Sequence, residues 1–142
     1  MEKINFINNQ APALNATNLN QLQTNIENAI NSVVESGSNN NGSWIKYSDG
    51  TMICWRQETV TDQAINKEYG SLYQGTRQYT FPVPFVGNVN AKCTIFQYGT
   101  SASWGTAYSI SNTQVALRGF DAFSRAAGEK CTIGYIAIGK WK

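Results

Sequence analysis

Histidine is missing from the 142 residues. Its absence removes Ser-His-Asp and Cys-His arrangements, His-ligated zinc and imidazole base chemistry. Cysteine is scarce, and Cys54, Cys93 and Cys131 lie far apart with no Cys-x-x-Cys pair to clamp a metal or form a redox couple. The odd number and apolar neighbours favour free buried thiols, with one Cys93–Cys131 bridge as the alternative. Charge is scarce as well. Eleven Lys+Arg stand against nine Asp+Glu, a charged fraction of 14%, where roughly 25% is usual. A net charge of +2 without a basic run argues against nucleic acid as a partner. No run approaches the ~20 apolar residues of a membrane helix, so no membrane insertion is expected. The opening MEKINFINNQ has neither a basic start nor an apolar stretch, so no signal peptide is expected and the chain should be made in the cytosol. No cluster of residues predicts a metal or a cofactor.

What is present is polar without being charged. Asn, Gln, Ser and Thr make up about a third of the chain, while 42% hydrophobic and 12% aromatic residues suffice for a packed core. A surface rich in amides and hydroxyls suits neutral hydrogen-bonding partners. The composition changes near Gly42. Residues 1–41 hold 12 Asn and no Trp, Tyr or Cys, whereas all four Trp, seven Tyr and three Cys follow. This divides the chain into an N-terminal segment and helix over 1–36, a small polar linker over 37–42, and a β unit over 43–142.

The helix is expected to begin after Pro12, with Asn15 as N-cap and Gly37 as the residue past its end. Leu19, Leu22, Ile26, Ala29 and Val33 recur at spacings of 3, 4, 3 and 4, and Ile30 widens the stripe. The opposite face is polar and built of poor helix formers, so the helix must bury its stripe to be stable. Two partners fit: the β unit of the same chain, or other copies in a short coiled coil. The flexible linker favours the coiled coil. Ahead of the helix, Ile4-Asn5-Phe6-Ile7 has no evident apolar partner and is expected to anchor the chain to a larger assembly.

From Trp44 onwards the pattern is that of β-strands. Trp44–Tyr47 and Thr51–Trp55 flank Ser48-Asp49-Gly50, a hairpin signal. Further strands are expected at Gln78–Phe81, Val89–Tyr98, Ala107–Ile110, Gln114–Arg118 and Lys130–Trp141, with Glu58–Gln74 read as a long polar loop. Pro82 and Pro84 mark a strand end or a sheet edge. In Cys131–Gly139 the apolar positions change phase near Tyr135-Ile136, which suggests a bulge or a strand buried on both faces between subunits. Short strands and turns at this spacing predict an antiparallel β-sandwich or barrel.

Several of these stretches resemble a known family. INFINNQAPALNATNLNQLQTNIENAI resembles the start of tail-fibre and baseplate proteins of phages, prophages and phage-tail-like bacteriocins of Firmicutes. NGSWIKYSDGTMICW, residues 41–55, resembles the first hairpin of their C-terminal tip domains. Tyr79–Phe85, with the apolar strand from Val89, is similar to the H-type lectin core, although Gly87-Asn88 stands where those lectins place a Pro. Tyr135–Trp141 is similar to the family's last strand. The resemblance implies a homotrimer with a short helical stalk and a β-sandwich knob, attached through its N-terminus to other tail or baseplate subunits. It further implies assembly in the host cytoplasm and display on a virion or tail-like particle, whose tip binds a host cell-surface glycan. Under it, Leu19, Leu22, Ile26, Ala29, Ile30 and Val33 form the trimer interface.

A sugar-binding tip needs aromatic faces and fixed polar groups on exposed segments. Tyr98–Gly105 offers Tyr98 and Trp104 in a small-residue loop, with Trp104 capping the core as the alternative. Arg118–Arg125 offers Arg118, Asp121 and Arg125, which could hydrogen-bond sugar hydroxyls or merely shape the loop by an ion pair. Tyr108 completes the candidate set, and Tyr69 and Tyr73 lend binding potential to the Glu58–Gln74 stretch. A polysaccharide-degrading tip would need two carboxyl groups about 5 to 9.5 Å apart, and no spacing recommends a pair, Asp121 with Glu129 included. The expectation is a non-catalytic tip protein, with a purely architectural cap as the alternative.

Overall fold

The computed structural model describes residues 16–30 and 32–142, with the side chains of Ala29 and Ile30 outside that set. The anchoring segment Ile4–Ile7, the Asn15 cap and the interface roles of the Ala29 and Ile30 side chains therefore lie outside the described residues. The chain is mainly β. Among the described residues one helix, α1 (Ala16–Ile30), is followed by nine strands: β1 (Val33–Asn39), β2 (Gly42–Tyr47), β3 (Thr51–Val60), β4 (Lys67–Tyr69), β5 (Leu72–Thr80), β6 (Val86–Tyr98), β7 (Trp104–Ile110), β8 (Gln114–Asp121) and β9 (Cys131–Lys140). They form a five-stranded sheet, β1-β2-β3-β9-β6, and a four-stranded sheet, β4-β5-β8-β7. Every strand pairing is antiparallel.

The two sheets enclose one core. Met52 and Cys54 of β3, Ile133, Tyr135 and Ala137 of β9, and Phe96 of β6 meet Tyr79 of β5 and Val115 and Leu117 of β8. The Tyr79 and Tyr135 rings lie 5.5 Å apart across the sandwich. Strand alternation produces this arrangement, because successive side chains point to opposite faces. In β8 residues 115, 117, 119 and 121 face inward while 116, 118 and 120 face outward. At Gly119 the sheets approach so closely that a Cβ would stand 2.3 Å from Phe96 ring atoms.

The expected hairpin at Ser48-Asp49-Gly50 joins β2 to β3, with Gly50 at φ 86°. The Asp49 carboxylate accepts the Thr51 N–H at 2.8 Å. That hydrogen bond holds the Asp49 carboxyl below the usual range.

Four expectations are corrected. The helix ends at Ile30, and the chain from Val33 onward is β1, so Val33 and Gly37 belong to a strand. Residues 37–42, expected as a linker, complete a hairpin in which Ser38 pairs with Ser43 and Asn39 with Gly42. Hydrogen bonding along β2 wins over the helical stripe there, and the Trp44 ring fills the space beside Gly37, where a Cβ would come within 2.6 Å. Glu58–Gln74 is not one loop, because it holds the end of β3, all of β4 and the start of β5. Finally, β9 runs without a register break against β3. The irregularities lie in its neighbour β6, between Val86 and Val89 and between Cys93 and Ile95. Ile136 and Ile138 face outward, so of the two readings only the bulge within β9 is corrected.

Cys54, Cys93 and Cys131 are unpaired. Burial pushes each thiol up to about 11, so none is a reactive thiolate at neutral pH.

Candidate functional site

The outward-facing residues of the four-stranded sheet form an aromatic row. Register sets Trp104 of β7 opposite Phe120 of β8, and their rings stack at 5.8 Å with planes 26° apart. Phe120 in turn meets Tyr69 of β4 at 5.5 Å. Trp104 therefore opens a strand rather than sitting in a loop, and it is 48% exposed. Two residues along β8, Arg118 shares this face. Its guanidinium lies 4.2 Å from the centre of the Tyr108 ring and 5.3 Å from that of Tyr69. Tyr108 reaches it because a bulge between Ala107 and Ser109 changes the register of β7 against β8.

Beside this row is an open concavity of about 450 Å³, lined by Lys67, Gln74, Thr76, Tyr108, Arg118 and the 63–66 loop. Two buried polar atoms in it, Gln74 Oε1 and Arg118 Nε, have no partner among the described residues. An unsatisfied buried donor or acceptor costs about 1–3 kcal/mol.

The other expected site residues have structural duties. Tyr98 ends β6 with its ring in the core, and its hydroxyl donates to the Ala126 carbonyl. Asp121 is 2% exposed. It accepts from Arg125 Nε at 3.0 Å, Arg125 Nη2 at 3.3 Å and the Phe123 N–H at 2.9 Å. Burial raises the Asp121 carboxyl, but hydrogen bonds from Arg125, the Phe123 amide and Ser101 outweigh it, leaving the group below the usual range. Arg125 is also bound through its backbone to Ile65, which fastens the 122–130 loop to the 61–66 loop. Tyr98 and Asp121 are thus closed to a ligand, and the Asp121–Arg125 pair shapes a loop. Ser101 and Ser103 of the Gly99–Ser103 turn are likewise engaged locally: Ser103 Oγ accepts the Tyr98 N–H at 2.7 Å, and Ser101 Oγ lies 3.2 Å from Ser103 Oγ.

Sequence reasoning misses Lys67 and Gln74, which fall in the stretch that reads as one polar loop, and Thr76, which lies between that stretch and the strand expected at Gln78–Phe81. It also missed Phe120 as the platform under Trp104. The alternation Ala116, Arg118, Phe120 was the available signal.

Glu58 is the other well-held carboxylate. It accepts from Arg56 at 2.5 Å, Arg77 at 3.3 Å and Tyr79 at 3.0 Å. Burial raises it, and these donors and charges lower it further, to a net position below the usual range. A general acid needs the opposite, a carboxyl raised toward neutrality. Among the described residues no group of three or more His, Cys, Asp or Glu could hold a metal ion, and no helix is long and apolar enough to cross a membrane.

A second exposed surface is apolar. On the outer face of the five-stranded sheet, Ile45 pairs with Ile53 and Ile53 with Ile138, while Trp55 pairs with Ile136. Trp55 and Ile138 are 42% and 45% exposed. On α1, Leu19, Leu22 and Ile26 are each 48% exposed.

No protein-family model matches the chain, and comparison with curated proteins finds no match. Among solved structures it is similar to the C-terminal part of a P. aeruginosa R1 pyocin fibre, with 24% identity and a TM-score of 0.48 over 82% of this chain and 31% of that one. It is also similar to an N-truncated R1-type pyocin tail fibre, with 22% identity and a TM-score of 0.44 over 91% of this chain and 99% of that one. A P. aeruginosa R2 pyocin fibre fragment has 14% identity and a TM-score of 0.44, over 96% of this chain and 38% of that one. The chain thus spans about a third of the longer R1 and R2 fragments. Likeness at this level concerns the run of strands and carries nothing about binding.

Proposed function

We propose that the chain is a non-catalytic tip protein of a phage tail fibre, baseplate or tail-like particle, and that it binds a host cell-surface glycan. The sequence motifs that resemble tail-fibre proteins motivate the first half. One observation carries the second: an exposed row of Tyr69, Phe120 and Trp104 beside Arg118 and Tyr108 on a rigid sheet. Aromatic faces stack on the apolar faces of sugar rings, and fixed polar groups beside them read hydroxyl positions. In this reading Trp104, Tyr108 and Arg118 touch the glycan, while Tyr98, Asp121 and Arg125 hold the neighbouring loop in shape.

The proposal includes a homotrimer joined to other tail or baseplate subunits through its N-terminus. Further copies of this chain would cover the exposed Leu19, Leu22 and Ile26 stripe and the Ile53, Trp55 and Ile138 face. Both surfaces are apolar, which suits a self-complementary contact.

The test is adsorption of particles carrying Trp104→Ala to host cells. Loss of one stacking platform, worth about 1 kcal/mol per aromatic contact, repeated over three copies, is expected to lower adsorption about tenfold or more with the fold retained and only a small drop in melting temperature from the lost Phe120 contact. Full adsorption by a well-folded variant would sink the glycan site and favour an architectural cap.

A further inference from the structure

The four arginines of the chain divide unequally. Arg56 and Arg77 pair with Glu58, Arg77 pairs also with Asp62, and Arg125 pairs with Asp121. Arg118 alone has no carboxylate partner among the described residues, and its Nε is buried without an acceptor. It lines the 450 Å³ concavity together with Lys67, which is also unpaired among the described residues. No Asp or Glu lines that hollow. Two cations without a counter-charge therefore share one aromatic-rimmed depression in a protein whose other arginines are all neutralised.

We infer that this concavity selects saccharides bearing an anionic group, a carboxylate or a phosphodiester, which Arg118 and Lys67 hold while a sugar ring lies against Tyr108. The inference rests on the glycan-binding reading and adds the ligand's charge. Guanidinium presents a planar fork of N–H donors that matches carboxylate and phosphate oxygens in pairs, unlike a lysine point charge. Rings of Tyr108 and Tyr69 against the guanidinium limit its rotation, so the fork is oriented before the ligand arrives. A neutral sugar would leave both cations without a counter-ion.

The experiment titrates the intact chain with four probes: an oligogalacturonate, a glycerol-phosphate oligomer, a neutral galactose oligomer and inorganic phosphate. Calorimetry reads binding by wild type, Arg118→Gln, Arg118→Lys, Lys67→Gln and, as a surface control, Lys92→Gln, each checked for an unchanged melting temperature. Expected is binding of one charged oligomer at least tenfold tighter than the neutral one, weakened about tenfold by Arg118→Gln and severalfold by Lys67→Gln. Arg118→Lys should rescue only part of the loss, Lys92→Gln should be silent, and raising salt from about 50 to 300 mM should weaken binding. Whether the uronate or the phosphate oligomer binds identifies the anion. Equal binding of the neutral oligomer, indifferent to Arg118→Gln, would overturn the anionic selectivity while leaving glycan binding intact. Inorganic phosphate binding as well as either charged oligomer would overturn the saccharide. No binding of any probe, beside adsorption that still depends on Trp104, would overturn the charge inference alone.

Discussion

Arg118 and Asp121 stand three residues apart and do opposite work, because strand alternation sends the first outward and the second into the loop support. Neither role follows from residue type. The sequence presents both as members of one loop, since Gly119 and Ala122 hide the strand between them. Composition misleads in a similar way. A charge-poor chain suggests neutral partners, yet the average conceals which cations lack carboxylates, and only side-chain pairing reveals that. Asp121 also predicts an acid response. Its folded carboxyl lies below its ordinary value, so the ionised form is favoured by folding. That contribution is complete above the unfolded value of about 3.9 and is lost as pH falls through the folded value. Glu58 adds in the same direction. The urea midpoint should therefore drop between pH 6 and pH 3. Asp121→Asn should cost about 1–3 kcal/mol at pH 6 and make that drop smaller, and an undiminished drop would show the pair to be irrelevant to acid stability.

Strands and turns were legible where their signals are local. The Asp49-Gly50 hairpin, the Val89–Tyr98 part of β6 and the Gln114–Arg118 part of β8 follow from alternation and turn residues, and β9 from its apolar run. The helix boundary was not legible, because Val33 extends the apolar stripe by one further turn and Ser36–Gly42 has the composition of a linker. What decides there is pairing with β2, contributed by residues on the far side of the Asn40-Asn41 turn. A single-segment pattern cannot contain it. Sheet-on-sheet distance is a second property of elements, and Gly119 sets it. Gly119→Ala must push the Phe96 ring, not a flexible side-chain end, so overpacking should cost about 1–3 kcal/mol. Urea denaturation measures this, and the double variant with Phe96→Leu should recover part of the loss. A neutral Gly119→Ala would mean that the sheets separate freely at that point.

At the scale of the molecule, the sandwich was legible but its strand order was not, since order depends on partners far apart in the chain. Assembly belongs to this scale too. Ile26→Asp places a charge in the half-exposed stripe of α1 and should shift the proposed trimer toward monomer at micromolar concentration, as read by light scattering. An unchanged trimer mass would remove the helix from the contact. The position of β9 has one further consequence. It lies between β3 and β6, and Val60 of β3 meets Cys131 across the 70 residues of intervening chain. The larger sheet has no middle until residues 131–140 arrive. During synthesis, then, β1, β2 and β3 must wait on the ribosome as an unfinished meander with an open edge, and refolding in vitro should be slow for the same reason. A ribosome that stops before residue 131 leaves a product that cannot close its core and is open to proteolysis.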